Sequence, residues 1–150
     1  MTMLCHLYIR NGTAYVPTAA KTQAGYYLDI DPVEVTSISD EEGFIRAIRR
    51  CIDRGHPIVP TPTRATGFPK PVILRYVKVR SLAAFEKDAS YWQLHKEDDL
   101  YRIEQWKNGA QGGWLPDPAR NETLPLGASV DDAIKCLINS VQSIASNHRA

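Results

Sequence analysis

Two adjacent residues, Asn11-Gly12, constrain this chain more than any others. On one side Cys5, Leu7 and Ile9 alternate with His6, Tyr8 and Arg10, and on the other runs Thr13 to Val16. Asn and Gly both tolerate positive φ, and the type I′ turn they favour has the twist of two paired strands. The chain therefore begins as an antiparallel hairpin, and later elements must cover a sheet. Lys21 to Gly25 reads as a loop into a third strand from about Tyr26 to Val35. Tyr26, Leu28 and Ile30 take one face of that strand, and Tyr27, Asp29 and Asp31 the other. Pro32 has no amide hydrogen for a ladder, which places it at a sheet edge or a bulge.

Helical periodicity then replaces alternation. Phe44, Ile45, Ile48, Cys51 and Ile52 form one apolar stripe over about 39-54. Ser39 is expected to cap this helix, with Glu42 completing a capping box, Gly55 closing it and Pro57 preventing continuation. Pro57, Pro60, Pro62, Pro69 and Pro71 punctuate the next segment and predict an ordered loop or a short edge. Val72 to Val79, rich in β-branched residues, reads as a strand, and Ser81 as the cap of a short helix over about 81-88. Tyr91 to His95 and Leu100 to Trp106 form a second hairpin, and Asn108 to Pro125 is turn-rich. Ser129 caps a last helix, with Asp132 at the third position and Val130, Ile134, Leu137, Ile138, Val141 and Ile144 as its stripe.

The expected class is α+β: an antiparallel or mixed sheet built from hairpins and covered by two main helices (about 39-54 and 129-146) and one short helix (about 81-88). No repeat and no linker interrupts the 150 residues, so 1-150 is expected to form a single domain.

Ordinary site chemistry is missing from the pattern. Cys5, Cys51 and Cys136 are far apart and odd in number, which fits neither a zinc site nor a disulfide framework. Reduced thiols, and hence a cytoplasmic location, follow as the expectation. None of His6, His56, His95 and His148 lies within four residues of another. No phosphate loop, dinucleotide fingerprint or nucleophile elbow is present. The expectation is therefore no catalytic residue, no metal and no cofactor. Met1 to Arg10 lacks the cationic start and apolar run of a signal peptide, and no stretch approaches the roughly 18 apolar residues of a membrane span. A formal charge of +1 excludes the overall basicity of a generic nucleic-acid binder.

Charge is nonetheless segregated. Between Thr22 and Ile45 lie Asp29, Asp31, Glu34, Asp40, Glu41 and Glu42, with no lysine or arginine. From Arg46 to Arg80 there are nine cations and one acid, Asp53. Helix-dipole complementation accounts for the charges flanking the first helix, but not for three acids on a strand. Asp29, Asp31 and Glu34, helped by Glu41, Glu42 and an exposed Tyr27, are therefore expected to form a partner-binding face. Arg64 and Lys70, in the proline loop, are expected to form a preorganised binding loop. Two rivals stand beside this reading. One is a small enzyme using His56 and the basic stretch on a phosphorylated or nucleotide substrate; the other is an oligomeric assembly subunit pairing through an edge near Pro32 or through the loop 61 to 70.

The stretches AYVPTAAKTQAGYYLDIDPVEV (14 to 35), GHPIVPTPTRATGFPKPVILRYVKV (55 to 79) and SLAAFEKDASYWQL (81 to 94) resemble those of contact-dependent growth inhibition immunity proteins. That resemblance implies a bacterial cytoplasmic protein that binds and neutralises a cognate toxin domain, often a nuclease, by masking it. It implies no catalytic residue and no direct contact with nucleic acid or membrane. Inhibitors of basic nucleases are often strongly acidic, whereas this chain is nearly neutral.

Overall fold

A computed structural model describes residues 3–109 and 112–148. Strands β1 (Met3–Arg10) and β2 (Thr13–Thr22) turn over at Asn11 and Gly12, whose φ values of 51° and 77° suit the type I′ turn. β3 (Tyr27–Ser37) returns along β2, and α1 (Glu41–Arg54) follows. Next come the two-residue β4 (Ile58–Val59), α2 (Leu82–Lys87), β5 (Ala89–Glu97) and β6 (Leu100–Asn108). β7 (Trp114–Pro116), β8 (Glu122–Thr123) and α3 (Val130–His148) complete the order. The strands form one sheet in the order β3-β2-β1-β5-β6-β7, with β4 added beside β2 and β8 beside β6. Every pairing is antiparallel except that of β4 with β2. The α+β expectation holds, with α1, α2 and α3 in the places the periodicity indicated.

The period-2 alternation divides the core between the two faces of the sheet. Leu7, Val16, Leu94 and Ile103 meet Phe44 and Ile48 of α1 and Ile134, Leu137 and Ile138 of α3, all essentially inaccessible to solvent. On the opposite face Tyr15 and Val33 pack with Val72, Ile73, Val77 and Phe85, brought across the sheet by the segment leading into α2.

Pro32 satisfies both expectations at once. β3 is an edge strand, and its register slips where Asp31, Pro32 and Val33 together oppose only Pro17 of β2. Two expectations are corrected. Val72 to Val79 is not a strand: Val72–Arg75 is a 3-10 turn, because Pro69 and Pro71 supply no ladder donors and a coiled segment can aim Val72, Ile73 and Val77 at the sheet together. Nor does Ser39 cap α1. Its hydroxyl pairs with that of Ser37 at 2.8 Å, while the Asp40 carboxylate accepts from the Gly43 amide at 3.1 Å, so no box with Glu42 forms. A carboxylate facing the positive end of the helix is the stronger acceptor. The box at α3 does form, with Ser129 and Asp132 each accepting the other's amide hydrogen at 3.1 Å.

β1 and β2 pair only where Tyr8 to Arg10 oppose Thr13 to Tyr15, and beyond that the strands part. His56 closes the gap. Its Nδ1 lies 2.7 Å from the Ala19 carbonyl oxygen of β2, and its Nε2 accepts from the Leu4 amide of β1 at 3.1 Å. One imidazole thus stands in for a missing rung between two strands.

Candidate functional site

The acids read as a partner-binding face are engaged within the molecule. Glu34 receives Arg54 at 2.9 Å and Arg50 at 3.4 Å. Asp31 receives Arg75 at 2.7 Å and the Tyr76 hydroxyl at 2.5 Å. Asp29 is held by His6 Nδ1 and by the Tyr8 hydroxyl, both at 2.6 Å. It can reach β1 over the intervening β2 because the residue directly opposite it is the small Ala19. Two of the three acids therefore meet arginines of the next stretch of sequence, and the third turns back to β1.

Glu41 and Glu42 lie exposed in the first turn of α1, beyond the far end of β3 from Tyr27. Ser37 stands ten positions along the strand from Tyr27, roughly 30 Å at the usual rise. Those two acids do not share a site with Tyr27. Lys70 does, since Tyr27, Asp29 and Lys70 all line one cleft of about 330 Å³ on the helix-poor face of the sheet. Arg64 stands exposed in the loop that enters this cleft at Pro69.

Three polar cleft residues were not singled out by the sequence as partner-binding: His6, Tyr8 and Glu86. Tyr8 stacks on Tyr91 at 4.8 Å, and Trp114 leans on the same ring at 5.6 Å. Burial, reinforced by the Asp29 carboxylate, pushes the Tyr8 phenol well above its ordinary range, so it keeps its proton and donates. Glu86 is nearly buried and accepts from the Gly113 amide at 3.1 Å. The legible signal was the polar side of β1, where His6 and Tyr8 alternate with core residues. Its neighbours Tyr91 and Gln93 were visible too, but their register with β1 was not. Both oxygens of Asp29 serve the fold, so the cleft offers a partner its aromatic walls and the Lys70 ammonium at its rim.

His56, the residue assigned to the rival enzyme reading, is corrected to a structural role. Both ring nitrogens contact backbone, and Tyr27 packs edge-on against it at 5.2 Å. Among the described residues no group of three or more metal-ligating side chains converges, and no helix is long and apolar enough to cross a membrane.

A larger groove, of about 860 Å³, opens between α3 and the segment from Ala119 to Glu122. None of the residues read as partner-binding lines it. Its Cys136 thiol donates to Glu122 at 3.1 Å, and partial burial together with that carboxylate pushes the thiol up to about 11. All three cysteines are free thiols, and Cys5 and Cys51 are buried. Only thiolate reacts with iodoacetamide, and a raised value means less thiolate at neutral pH. Alkylation of Cys136 should therefore be slow at pH 8, rise toward pH 11, and become faster near pH 9 in Glu122→Gln. Peptide mass spectrometry would show this, and a rate at pH 8 equal to that of free cysteine would contradict the Glu122 contact.

No protein-family model matches the chain, and no curated protein matches it. Solved structures do. A protein of unknown function from Neisseria meningitidis superposes with a TM-score of 0.66 at 9% identity, covering 95% of each chain. A chain from the CdiA-CT/CdiI toxin and immunity complex of Yersinia pseudotuberculosis superposes with a TM-score of 0.63 at 12% identity, over 95% of this chain and 97% of that one. At such identities the likeness is one of fold. The chain shares its whole architecture with a component of a toxin and immunity complex.

Proposed function

We propose that this chain is an immunity protein of a contact-dependent growth inhibition system. It acts in the bacterial cytoplasm, binds a cognate toxin domain, a nuclease being the class the resemblance favours, and neutralises it by masking rather than by catalysis. The observation that carries this reading is the fold shared, nearly end to end, with a chain of a toxin and immunity complex. Three stretches of the sequence support it independently by their resemblance to such proteins. The residues proposed to face the toxin are Tyr27, Arg64 and Lys70, which lie at or beside the one cleft that joins the edge strand to the proline loop. Asp29 and Glu34 support the edge strand through pairs within the fold, and Asp31 holds Arg75 and Tyr76 at its exposed side.

Co-expression with the C-terminal domain of the large protein encoded immediately upstream tests the proposal. The expected result is a stable stoichiometric complex on size exclusion and restored growth of cells expressing that domain. A domain that is toxic alone, forms no complex and stays toxic beside this protein would overturn it.

A further inference from the structure

Resting on the immunity reading, we infer that the toxin surface this protein recognises is acidic around an apolar recess, and that the loop bearing Arg64, Phe68 and Lys70 docks there. Residues 57–80 contain no acid and five cations: Arg64, Lys70, Arg75, Lys78 and Arg80. Asp31 neutralises Arg75, and the other two strand acids are committed to His6, Tyr8, Arg50 and Arg54. Arg64, Lys70, Lys78 and Arg80 remain exposed, and none is in an ion pair among the described residues. Internal pairing has thus reversed the polarity that the linear charge pattern suggests. Lys70 lines the cleft, and the loop that leads into it carries Arg64 and no acid.

Phe68 stands in the middle of this loop with 69% of its surface exposed. Hydrogen bonds order the loop just before it. The Thr63 amide donates to the Thr66 hydroxyl at 2.9 Å, and the Gly67 amide to the Thr63 carbonyl at 2.8 Å. The Ala24 amide donates to the Thr61 hydroxyl at 2.8 Å and ties the loop to the β2–β3 turn, where Tyr26 is also exposed. Prolines at 60, 62, 69 and 71 reduce the freedom that remains. A preordered aromatic flanked by cations loses little entropy on docking and has the makeup of an interface hot spot. Cations beside an aromatic can also hold single-stranded nucleic acid, but such sites interleave several stacking rings along a basic groove. Here Phe68 protrudes alone from the loop, Tyr26 and Tyr76 are less than half exposed with the Tyr76 hydroxyl bound to Asp31, and the net charge of the chain is only +1. A protein with an acidic rim fits better. Such a rim is not the basic groove in which a nuclease holds a phosphate backbone, so neutralisation would proceed from an adjoining surface rather than by mimicry of nucleic acid.

The test measures association and dissociation rates for the upstream toxin domain with wild type, with R64E/K70E and with F68A, at low and moderate salt. All three positions are exposed, so unfolding midpoints should match wild type. The double charge reversal should slow association at least about tenfold at low salt and remove its salt dependence. Phe68→Ala should speed dissociation by about tenfold or more. Wild-type rates in both variants would overturn the docking surface while leaving the immunity reading intact. Faster association of the charge reversal would show the toxin surface to be basic and overturn the inference. So would tight binding of a mixed-sequence single-stranded RNA that R64E/K70E abolishes. A toxic domain that wild type does not bind would remove the immunity reading, and this inference with it.

Discussion

Replacing Asp29, Asp31 and Glu34 together with lysine is expected to remove about 6 kcal/mol of folding stability. Read from the sequence alone, the same triple change should spare the fold and weaken only partner binding. The difference lies in what each carboxylate touches. Asp29 and His6 are 20% and 10% exposed at the side chain, and removing the acid leaves the imidazole and the Tyr8 hydroxyl without their acceptor. Losing two such bonds at a half-buried site costs about 3–4 kcal/mol. Glu34 holds Arg54, whose Nε and Nη2 are already buried without partners, so its loss adds about 2–3 kcal/mol. Asp31 and Arg75 are well exposed and contribute about 0.5 kcal/mol. The sum, about 6 kcal/mol, rivals the roughly 5–15 kcal/mol that holds an ordinary domain together. Far-UV circular dichroism and urea titration of the triple and single variants would check this, with Asp31→Lys close to wild type and Asp29→Lys the most damaging. A triple variant with a cooperative transition near the wild-type midpoint would mean that these acids are free surface after all.

His56→Ala is the second change with a large expected effect. It removes the only bridge described across the opening between β1 and β2 and strands the Leu4 amide and the Ala19 carbonyl. Each unpaired buried backbone group costs about 1–3 kcal/mol, and the edge-on contact with Tyr27 is lost as well. A destabilisation of about 3 kcal/mol follows. Its location is more diagnostic than its size. In hydrogen exchange the Leu4 amide should lose at least about a hundredfold protection, while Tyr8 to Arg10, whose rungs with β2 are intact, should change only as far as global stability falls. Equal acceleration along the whole of β1, or none at Leu4, would rule out the bridging role. Neither smaller amides nor apolar replacements present a donor and an acceptor at the two imidazole positions, so no common substitution should restore it.

Much of the fold was legible because its signals are local. Asn11-Gly12 sets a turn through its own backbone freedom. The stripe of α1, the cap at Ser81 and the reciprocal box at Ser129 and Asp132 all act within about four residues. Pro32 announced its bulge by what it lacks. Where the reading failed, a competing contact decided. The preference of Val72 to Val79 for extended chain yielded to burial of Val72, Ile73 and Val77 against a sheet already complete at that place. The cap at α1 moved one residue, to the acid, because Ser39 found Ser37 instead.

The candidate site was less legible. Tyr27 and Lys70 were recognised one by one, but their meeting across a cleft with His6, Tyr8 and Trp114 depends on strand order, with β3 reaching β1 over an alanine of β2. The sequence by itself determined the hairpins, the helices and the segregation of charge, since turn, capping and periodicity energies are settled between near neighbours. Tertiary structure decided what that segregation means. Asp31 finds Arg75 and Glu34 finds Arg54 across 44 and 20 residues of chain. Such pairs form only when folding places their elements side by side, because a Coulomb energy depends on distance in space and on burial, neither of which is written in the order of the residues.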